Sequence, residues 1–372
     1  MKKGIALLCA AAMLTGVLAG CGGQTQSASE TAAATQAADE TEPSAGNSSL
    51  AEKFGDAVKQ NEFEGMAYAA LNGEKLFESE SVQGYNSGTV YHIASLSKQF
   101  TAAAVLLLEE EGKLSVDDTL DKYFPDYRDG GKVKLHHLLC MRSGIKNYTD
   151  AVLDGSLVPE NEGVTADNSV EENRAAMEKW ILENTSPAPD LNFEYSNTNY
   201  FLLAEIVEKV SGKSYGDYIT EKIINPLGMK STGFGDTWNR DDLTVAGGFG
   251  DSGYRFVAYP AAAYGSGDMM STAEDLTIWA NEFIKGKNKV LSDAVLAKMT
   301  ENYENAGYGY GVMLDDNHGI VNHAGSLPPF TTYLAVDPAA GFVLVLFDNA
   351  EDTSEKDVTQ QMLKDYYTAR LA

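Results

Sequence analysis

Apolar residues gather into one long run at residues 102–108, which read Ala, Ala, Ala, Val, Leu, Leu, Leu. A small polar patch that starts at Ser95 precedes this run, and three glutamates and Gly112 follow it. The pattern is typical of a buried helix that begins near Ser95 and ends in a left-handed glycine cap. Amphipathic spacing over residues 200–211 and 272–285 predicts two further helices.

Segments rich in β-branched and aromatic residues predict strands near both ends of the fold. They are residues 64–71, 75–82, 308–314, 331–336 and 342–347. Asn72-Gly73 joins the first two as a hairpin, and a turn at residues 337–341 joins the last two.

Helical patterns dominate between these two groups, from about residue 95 to 300. We therefore expect a mixed α/β (α+β) fold with one antiparallel sheet built from its N-terminal and C-terminal parts, residues 62–92 and 306–372. Helices are expected to flank this sheet, and the last of them covers about residues 354–371. A mostly helical region is inserted between the two parts of the sheet.

The first 20 residues have the pattern of a secretion signal. Lys2 and Lys3 precede an apolar run over residues 4–18, which is short for a membrane-spanning helix. The small residues before Cys21 resemble the lipobox of bacterial lipoproteins, which implies cleavage before Cys21 and acylation of its thiol and new amino terminus. An ordinary signal peptide with an incidental cysteine is the alternative.

The next segment is expected to be a tether. Residues 22–49 contain no lysine, arginine or aromatic residue and are rich in Ala, Ser, Thr, Gln and acids. Such a composition cannot bury a core, so we expect residues 21–49 to be a flexible link that holds the folded domain off a surface. With 372 residues in the chain and 44% of them hydrophobic, residues 50–372 can bury a sizeable core.

The net charge and the number of cysteines limit what the protein can bind and whether it can form a disulfide. The net charge is −26, and the loss of Lys2 and Lys3 with the signal changes it to −28. So acidic a surface argues against binding to nucleic acid and to anionic lipid headgroups. Membrane attachment is then expected only through acyl chains on Cys21, with the protein outside the cytoplasm on the bacterial cell membrane. Cys140 would be the only other cysteine left, so no internal disulfide is possible, and we expect it to be a small buried hydrophobe.

Ser95 and Lys98 have a spacing that suits nucleophilic catalysis. On a helix they lie one turn apart on one face, with Cβ atoms roughly 5–6 Å apart, at the end where the helix dipole favours negative charge. A desolvated lysine also loses its proton more easily. The spacing alone is weak evidence, because Ser143 and Lys146 repeat it. That second copy lies in a polar stretch with no apolar run to bury it, so we expect a loop there.

Acyl transfer also requires a proton route and donors for the oxyanion. The phenol of Tyr195 can shuttle protons, and Asn197 can orient the lysine and bind a substrate amide. Further along the chain, the backbone N–H of Ser326 can pair with that of Ser95 around an oxyanion. His323, close by, adds a polar ring.

These motifs together resemble the class C β-lactamase-like serine hydrolases. The motifs are Ser-x-x-Lys at 95–98, Tyr-Ser-Asn at 195–197 and His-x-Gly at 323–325, in that order. The family includes penicillin-binding D-alanyl-D-alanine carboxypeptidases, class C β-lactamases and family VIII esterases. The resemblance covers nearly the whole mature domain and implies a β-lactamase/transpeptidase-like fold. It also implies that neither a cofactor nor a metal is needed, and that the substrate is a small molecule or peptide, cell-wall peptide included.

By this resemblance Ser95 attacks the acyl carbon and becomes the site of an acyl-enzyme. Lys98 and Tyr195 exchange the proton in acylation. Deacylation then uses a water that is activated on the Tyr195 side. Which of the lysine and the tyrosine is the base is disputed for such sites.

The same resemblance assigns substrate-binding residues. Asn197 positions the lysine and the substrate, and the amides of Ser95 and Ser326 hold the oxyanion. His323, two residues before Gly325, stands where many relatives have lysine and faces the substrate carboxylate.

Three departures from the family pattern concern the substrate. Histidine at 323 is neutral or partly charged at pH 7, so it holds a carboxylate less firmly than lysine does. We therefore expect peptidase or esterase activity in preference to efficient β-lactam hydrolysis. Asp190 and Pro329 stand where relatives commonly have glycine, so the loop that rims the site must take another path.

The expected function is acyl-enzyme hydrolysis on Ser95 of the D-alanyl-D-alanine carboxypeptidase or peptidase type, or related amide and ester hydrolysis. A carboxylesterase or β-lactamase with the same residues is one alternative. A non-catalytic penicillin-binding or sensor domain is another. The pair His136-His137 is not accompanied by acidic or cysteine ligands at suitable spacing, so we expect no metal there.

Overall fold

The computed structural model describes residues 45–154, 157, 159–164, 168–187, 192–235, 244–247, 263–349 and 354–370. The helices of this part of the chain are α1 Ala45–Gln60, α2 Ser97–Glu110, α3 Leu135–Leu139, α4 Tyr148–Asp154, α5 Val170–Asn184, α6 Asn197–Ser211, α7 Tyr215–Ile219, α8 Asn225–Leu227, α9 Ala273–Ala280, α10 Asp293–Met299 and α11 Ser354–Arg370. A 3-10 turn, Ala94–Leu96, leads directly into α2.

The strands of the described chain are β1 Met66–Leu71, β2 Glu74–Glu78, β3 Tyr91–His92, β4 Gly233–Phe234, β5 Met269–Ser271, β6 Met313–Asp315, β7 Ile320–Leu327, β8 Phe330–Asp337 and β9 Phe342–Asp348. Within the described residues they form a six-stranded sheet in the order β2-β1-β9-β8-β7-β6 and a three-stranded sheet in the order β3-β5-β4. The two ends of the fold meet where β1 pairs antiparallel with β9, from Met66 opposite Phe347 to Leu71 opposite Phe342. This confirms the predicted mixed fold with a sheet built from both ends.

The hairpin between β1 and β2 follows from local chemistry. Asn72 has a φ of 56° and Gly73 a φ of 90°. A two-residue turn with positive φ at both positions matches the twist of the flanking strands, and Asn-Gly is the pair that adopts it at least cost. The predicted hairpin is therefore confirmed.

The large sheet is covered on both faces. Along β9, Val343, Val345 and Phe347 pack into the core that contains α2 and α6. The alternate residues Leu344 and Leu346 pack into a second core with α1 and α11. Successive strand residues point to opposite faces, so this continuous apolar strand suits a sheet buried on both sides.

Helix α2 is buried nearly all round, as its composition predicts. Phe100 stacks on Trp279 with ring centroids 4.3 Å apart, and the Trp279 indole donates to Gln99 Oε1 at 2.7 Å. Gly112 has a φ of 68°, which suits the expected left-handed end. The helix is thus a fixed support for the side chains of its first turn.

Details near both ends differ from the pattern-based expectation. Helix α1 begins at Ala45, before the expected start of the domain at residue 50. Strand β6 is Met313–Asp315 and overlaps the predicted strand 308–314 only at its last two residues, because Gly311 with a φ of 73° breaks the extended chain. The sequence pattern did not predict β7 as a strand, since glycine and polar residues interrupt its apolar alternation.

The predicted N-terminal features lie largely outside the described residues. These features are the secretion signal, Cys21 and residues 21–44 of the tether, and Asp190 lies outside the described residues too. Among the helices that the structure describes, none combines the length and the apolar character that crossing a bilayer requires.

Candidate active site

The chain enters α2 through a tight turn that presents Ser95. Ala94, just before it, has a φ of 47°, which is uncommon for a residue with a Cβ and costs roughly 1–3 kcal/mol. The surroundings hold this conformation. The amide of Ile93 donates to the Met269 carbonyl at 3.0 Å, and the Thr332 hydroxyl donates to the Ile93 carbonyl at 3.1 Å. Strands β5 and β8 therefore fix the turn from two sides.

Ser97 supports the same turn from inside α2. Its buried hydroxyl donates to the Ala94 carbonyl at 2.7 Å and accepts the Met269 N–H at 3.2 Å. No sequence pattern marks Ser97 or Thr332 as functional, since a small hydroxyl residue beside a motif has many ordinary roles. The resemblance alone could not identify them.

Lys98 connects the serine to a buried carbonyl. Its Nζ lies 3.0 Å from Ser95 Oγ and 2.7 Å from the carbonyl oxygen of Ser266. The Lys98 side chain is fully buried, whereas Ser95 is partly exposed. Both residues lie where the first N–H groups of a helix lack intrahelical partners and favour negative charge. Solvent can therefore reach Ser95, whereas the amine of Lys98 is shielded from solvent.

Tyr195 lies beside this pair. Lys98 Nζ is 5.0 Å from the centroid of the Tyr195 ring and 5.8 Å from that of the Tyr200 ring, in cation–π geometry. The Tyr195 ring is also 6.3 Å, centroid to centroid, from that of His323. The structure thus brings together residues from three distant segments of the chain, as the motifs predict.

Asn197 begins helix α6, and two of its donors reach the segment around α4. Its side-chain Nδ2 donates to Thr149 Oγ1 at 3.1 Å, and its backbone N–H donates to Asn147 Oδ1 at 3.0 Å. These bonds tie the start of α6 to the first turn of α4 and to Asn147, the residue just before it. The carbonyl that accepts a hydrogen bond from Lys98 Nζ belongs to Ser266. It is a backbone group, for which side-chain motifs give no signal.

His323 is fully buried and does not extend into the open cleft. Its Nδ1 lies 2.6 Å from the Ala324 carbonyl, and its Nε2 lies 3.2 Å from the Tyr308 hydroxyl. A carbonyl can only accept, so we infer that Nδ1 carries the proton and Nε2 accepts from Tyr308. Burial, together with the charge of Lys98, lowers the pKa of His323 to about 3. The expectation that this ring faces a substrate carboxylate does not match the observed geometry, because the ring is neutral and enclosed.

Gly325 allows β7 to approach the Ser95 turn. A Cβ at this position would lie 2.3 Å from Thr332 Oγ1 and 2.8 Å from the Ile93 carbonyl oxygen, which real Cβ atoms essentially never do. The next residue, Ser326, is exposed. Strand β6 pairs with β7 only at residues 320–322, so β6 does not cover the outer edge of β7 beside the site.

The second Ser-x-x-Lys copy lies in a loop, as predicted, but its burial was not expected. Ser143 is 1% exposed, and its hydroxyl donates to Asn199 Oδ1 at 2.6 Å. Lys146, by contrast, is exposed. The apolar residues that bury Ser143 come from other segments, so its own flanking sequence could not predict it.

The described residues also provide no obvious metal centre. Among them, no group of three or more His, Cys, Asp or Glu side chains is arranged to hold a metal ion. Cys140 is buried, as expected, and its burial raises the pKa of the thiol to about 12. It is therefore a packing residue and not a thiolate nucleophile.

Comparison with solved structures supports the same fold. A D-amino acid amidase from Ochrobactrum anthropi SV3, solved with L-phenylalanine amide, has a TM-score of 0.70 and 23% identity, over 88% of this chain and 100% of that one. An octameric penicillin-binding protein homologue from Pyrococcus abyssi has a TM-score of 0.67 and 27% identity, over 87% and 76% of the two chains.

Comparison with protein sequences shows the family. Penicillin-binding protein 4* of Bacillus subtilis (strain 168) is 27% identical over 339 residues, which cover 82% of this chain and 72% of that protein. The sequence model of the family described as Beta-lactamase matches residues 50–367. The match spans almost the whole described domain and includes the Ser95, Tyr195 and His323 segments. The chain therefore belongs to the beta-lactamase family of serine hydrolases and penicillin-binding proteins.

Proposed function

We propose that this protein is a serine hydrolase that forms an acyl-enzyme on Ser95 and cleaves D-amino-acid peptide, amide or ester bonds, as a D-alanyl-D-alanine carboxypeptidase or peptidase-like enzyme does. The observation that carries the proposal is the placement of Lys98 Nζ, 3.0 Å from Ser95 Oγ and 2.7 Å from a fixed carbonyl. An amine so placed is within reach of the proton that the serine must lose.

The acylation step follows from this geometry. Ser95 Oγ attacks the carbonyl carbon, and its proton passes to the pair formed by Lys98 and Tyr195. The same pair delivers a proton to the leaving nitrogen or oxygen, so that an amine or alcohol departs as the ester on Ser95 forms. A water then attacks the ester, releases the acid and restores the serine hydroxyl.

Two backbone amides are suited to hold the oxyanion. The N–H of Ser95 belongs to the first turn of a helical segment and has no partner within it. Ser326 lies opposite Thr331 in the ladder with β8, one residue from the pair Leu327 and Phe330 that flanks the two-residue turn. Since hydrogen-bonded and non-hydrogen-bonded pairs alternate in such a ladder, we infer that the Ser326 N–H points to the open edge of β7.

The open edge of β7 also suits an extended peptide. Unpaired N–H and C=O groups of an edge strand can bind a peptide as an added strand. On this edge, Ala324 and Ser326 are exposed and carry no charge. A peptide that lay along them would bring its scissile carbonyl toward Ser95.

The state of His323 bears on the choice of substrate. A neutral, enclosed imidazole gives little attraction for a substrate carboxylate. This favours amide and ester substrates over cephalosporins, and the free carboxylate of a D-Ala-D-Ala peptide would likewise find no cation at residue 323. The solved amidase with the same fold is named for its action on D-amino acid amides. Its likeness supports the fold, and the substrate class is our extension to this chain.

Localisation is part of the same proposal. The pattern of residues 1–20, Cys21 and the polar tether without lysine or arginine favour a lipid-anchored protein outside the cytoplasm. D-amino-acid peptides of the cell wall occur on that side of the membrane, so a cell-wall peptide is the substrate we favour.

A covalent probe tests the nucleophile directly. A fluorophosphonate probe is expected to label the wild type and not Ser95→Ala, as detected by fluorescence and by mass spectrometry of the adduct. Ser143→Ala is the matched control, because it removes the serine of the second Ser-x-x-Lys copy, and it should still be labelled. If the wild type shows no labelling that depends on Ser95, a non-catalytic binding or sensor domain replaces our proposal.

Turnover then distinguishes the substrate classes. We expect a D-amino acid amide, which has no carboxylate beside the scissile bond, to be hydrolysed with kcat/KM at least about tenfold above that of a chromogenic cephalosporin, which corresponds to about 1.4 kcal/mol of transition-state stabilisation. A D-Ala-D-Ala peptide measures carboxypeptidase activity. A nitrophenyl ester measures general acyl transfer. Preference for the cephalosporin would identify a β-lactamase, and activity on the ester alone would identify a carboxylesterase.

A further inference from the structure

The carbonyl that holds Lys98 belongs to a short turn at residues 263–267, which we call the lysine-holding turn. Gly265 in this turn has a φ of 65°, and a Cβ there would lie 2.4 Å from Ala204 Cβ. The backbone N–H of Ser266 donates to the Ala263 carbonyl at 2.9 Å. The turn is therefore packed directly on α6, with a conformation that a glycine makes accessible.

Two side chains of α2, one turn apart, hold neighbouring carbonyls of the lysine-holding turn. Lys98 donates to the Ser266 carbonyl at 2.7 Å, and Thr101 Oγ1 donates to the Gly265 carbonyl at 2.6 Å. Thr101 is fully buried. Its hydroxyl has one hydrogen, so the Tyr215 hydroxyl, 2.6 Å away, is the donor in the bond between the two. Thr101 thus fixes the Gly265 carbonyl, which is next to the Ser266 carbonyl that Lys98 contacts.

A third restraint acts on the side chain of Tyr264, in the same turn. Its hydroxyl donates to Glu208 Oε1 at 2.6 Å and accepts from Arg174 Nη1 at 2.8 Å. The guanidinium carbon lies 5.0 Å from the centroid of the Tyr264 ring, and Arg174 also pairs with Glu208 and Glu205. Helices α5 and α6 therefore hold the turn through the side chain of Tyr264, in addition to the bonds from α2.

We propose that Thr101 and Tyr264 are positioning residues for Lys98, which act through the lysine-holding turn. Three consecutive residues of this turn are each held by a different side chain, so the loss of one restraint allows the Ser266 carbonyl to shift. A shift moves Nζ relative to Ser95 Oγ. The inference rests on the proposed function, in which Lys98 exchanges a proton with the serine.

A substitution series at Thr101 tests the first restraint. Thr101→Val keeps the shape and removes the hydroxyl, and Thr101→Ser restores a hydroxyl. Because Lys98 acts in proton transfer, we expect Thr101→Val to lower kcat for a nitrophenyl ester about tenfold, the effect of losing one buried hydrogen bond, with KM within about twofold. Thr101→Ser should recover most of the kcat.

The matched control for this series is Thr277→Val in α9. Its hydroxyl donates to the Ala273 carbonyl of its own helix at 2.8 Å and is also buried. It should leave kcat and KM unchanged. A loss of kcat in the control equal to that in Thr101→Val would contradict our proposal, because general loosening of the fold would then explain both.

Tyr264→Phe tests the restraint on Tyr264 independently, and it decides whether the positioning role holds if Thr101→Val does not fold. It keeps the ring and removes the hydroxyl between Arg174 and Glu208, so we expect a fall in kcat of about tenfold at unchanged KM. Tyr218→Phe is the matched control, because the Tyr218 hydroxyl is buried and has no hydrogen-bond partner in the structure. All variants are compared at a temperature well below their measured unfolding midpoints.

The outcomes separate this inference from the proposed function. If the wild type is labelled on Ser95 and both Thr101→Val and Tyr264→Phe retain wild-type kcat, the positioning role is refuted and the proposed function stands. A raised KM at unchanged kcat would also refute it. If the wild type shows no Ser95-dependent labelling or turnover, the proposed function fails, and this inference fails with it.

Discussion

The hydroxyl of Tyr308 lies 3.2 Å from Nε2 of His323, and both side chains are buried beneath the candidate site. The carbonyl of Ala324 accepts a hydrogen bond from the other ring nitrogen, Nδ1, at 2.6 Å. With both nitrogens engaged, the imidazole has a fixed tautomer and orientation. The ring therefore supports Tyr195 and the start of the exposed segment of β7, and it is not the mobile cation that a lysine at this position would be.

The stability of the protein should fall as the pH is lowered from about 6.5 toward 3, in part because of His323. Its pKa is lowered by burial and by the charge of Lys98 to about 3. Between these pH values the unfolded chain binds a proton at His323 that the folded chain does not. The contribution of His323 to stability is therefore fully present above the pKa of the unfolded chain and is lost as the pH falls toward 3. One such group contributes a slope of at most about 1.4 kcal/mol per pH unit.

Urea unfolding of the wild type and His323→Gln, near pH 7.5 and near pH 5, measures this slope. The free energy of unfolding should depend less on pH in the variant. Identical slopes in the wild type and His323→Gln would contradict the assignment of a neutral, buried His323.

Tyr308→Phe should destabilise the protein by about 1–3 kcal/mol, because it leaves Nε2 of His323 buried without its donor. Tyr218→Phe is the matched comparison. It removes a buried hydroxyl that has no partner in the structure, so we expect little change or a slight gain in stability. Equal free energies of unfolding for the two variants, from urea titration at neutral pH, would show that the Tyr308 bond contributes nothing.

The sequence predicted what is encoded locally. The Asn72-Gly73 turn requires only its own two residues, and the helix with Ser95 and Lys98 follows from one apolar run and one spacing. The mixed fold followed from strands at both ends and from the family motifs.

The remaining features depend on segments that are far apart in the chain. The burial of His323 arises from Tyr308 and Tyr195, which its own flanking sequence does not reveal. The Ser266 carbonyl that holds Lys98 is a backbone group, and such groups leave no side-chain pattern. The Asn197 Nδ2 donates to Thr149, 48 residues earlier in the chain, and the motif at residues 195–197 does not reveal this bond.

Cys21→Ala should move the protein from the membrane fraction to the released fraction. The chain has strongly acidic composition, so headgroup attraction cannot replace the acyl chains. Fractionation of bacteria that express the full chain, followed by immunoblotting, measures the change. Ser27→Ala, a substitution within the tether, should remain with the membrane as the wild type does. Cys21→Ala that stays membrane-bound after a high-salt wash would rule out the lipid anchor.

Gly325→Ala should abolish most of the activity while the protein remains folded. The added Cβ would lie 2.3 Å from Thr332 Oγ1 and 2.8 Å from the Ile93 carbonyl oxygen, so β7 must move away from the turn that presents Ser95. That movement withdraws the Ser326 N–H from the proposed oxyanion site, and the loss of one such donor typically lowers turnover by about 10²–10³. Gly55→Ala is the control, because its Cβ would meet Phe77 at an ordinary 3.7 Å. Fluorophosphonate labelling rates give the comparison, and a wild-type rate in folded Gly325→Ala would show that the approach of β7 to the serine turn is not needed for catalysis.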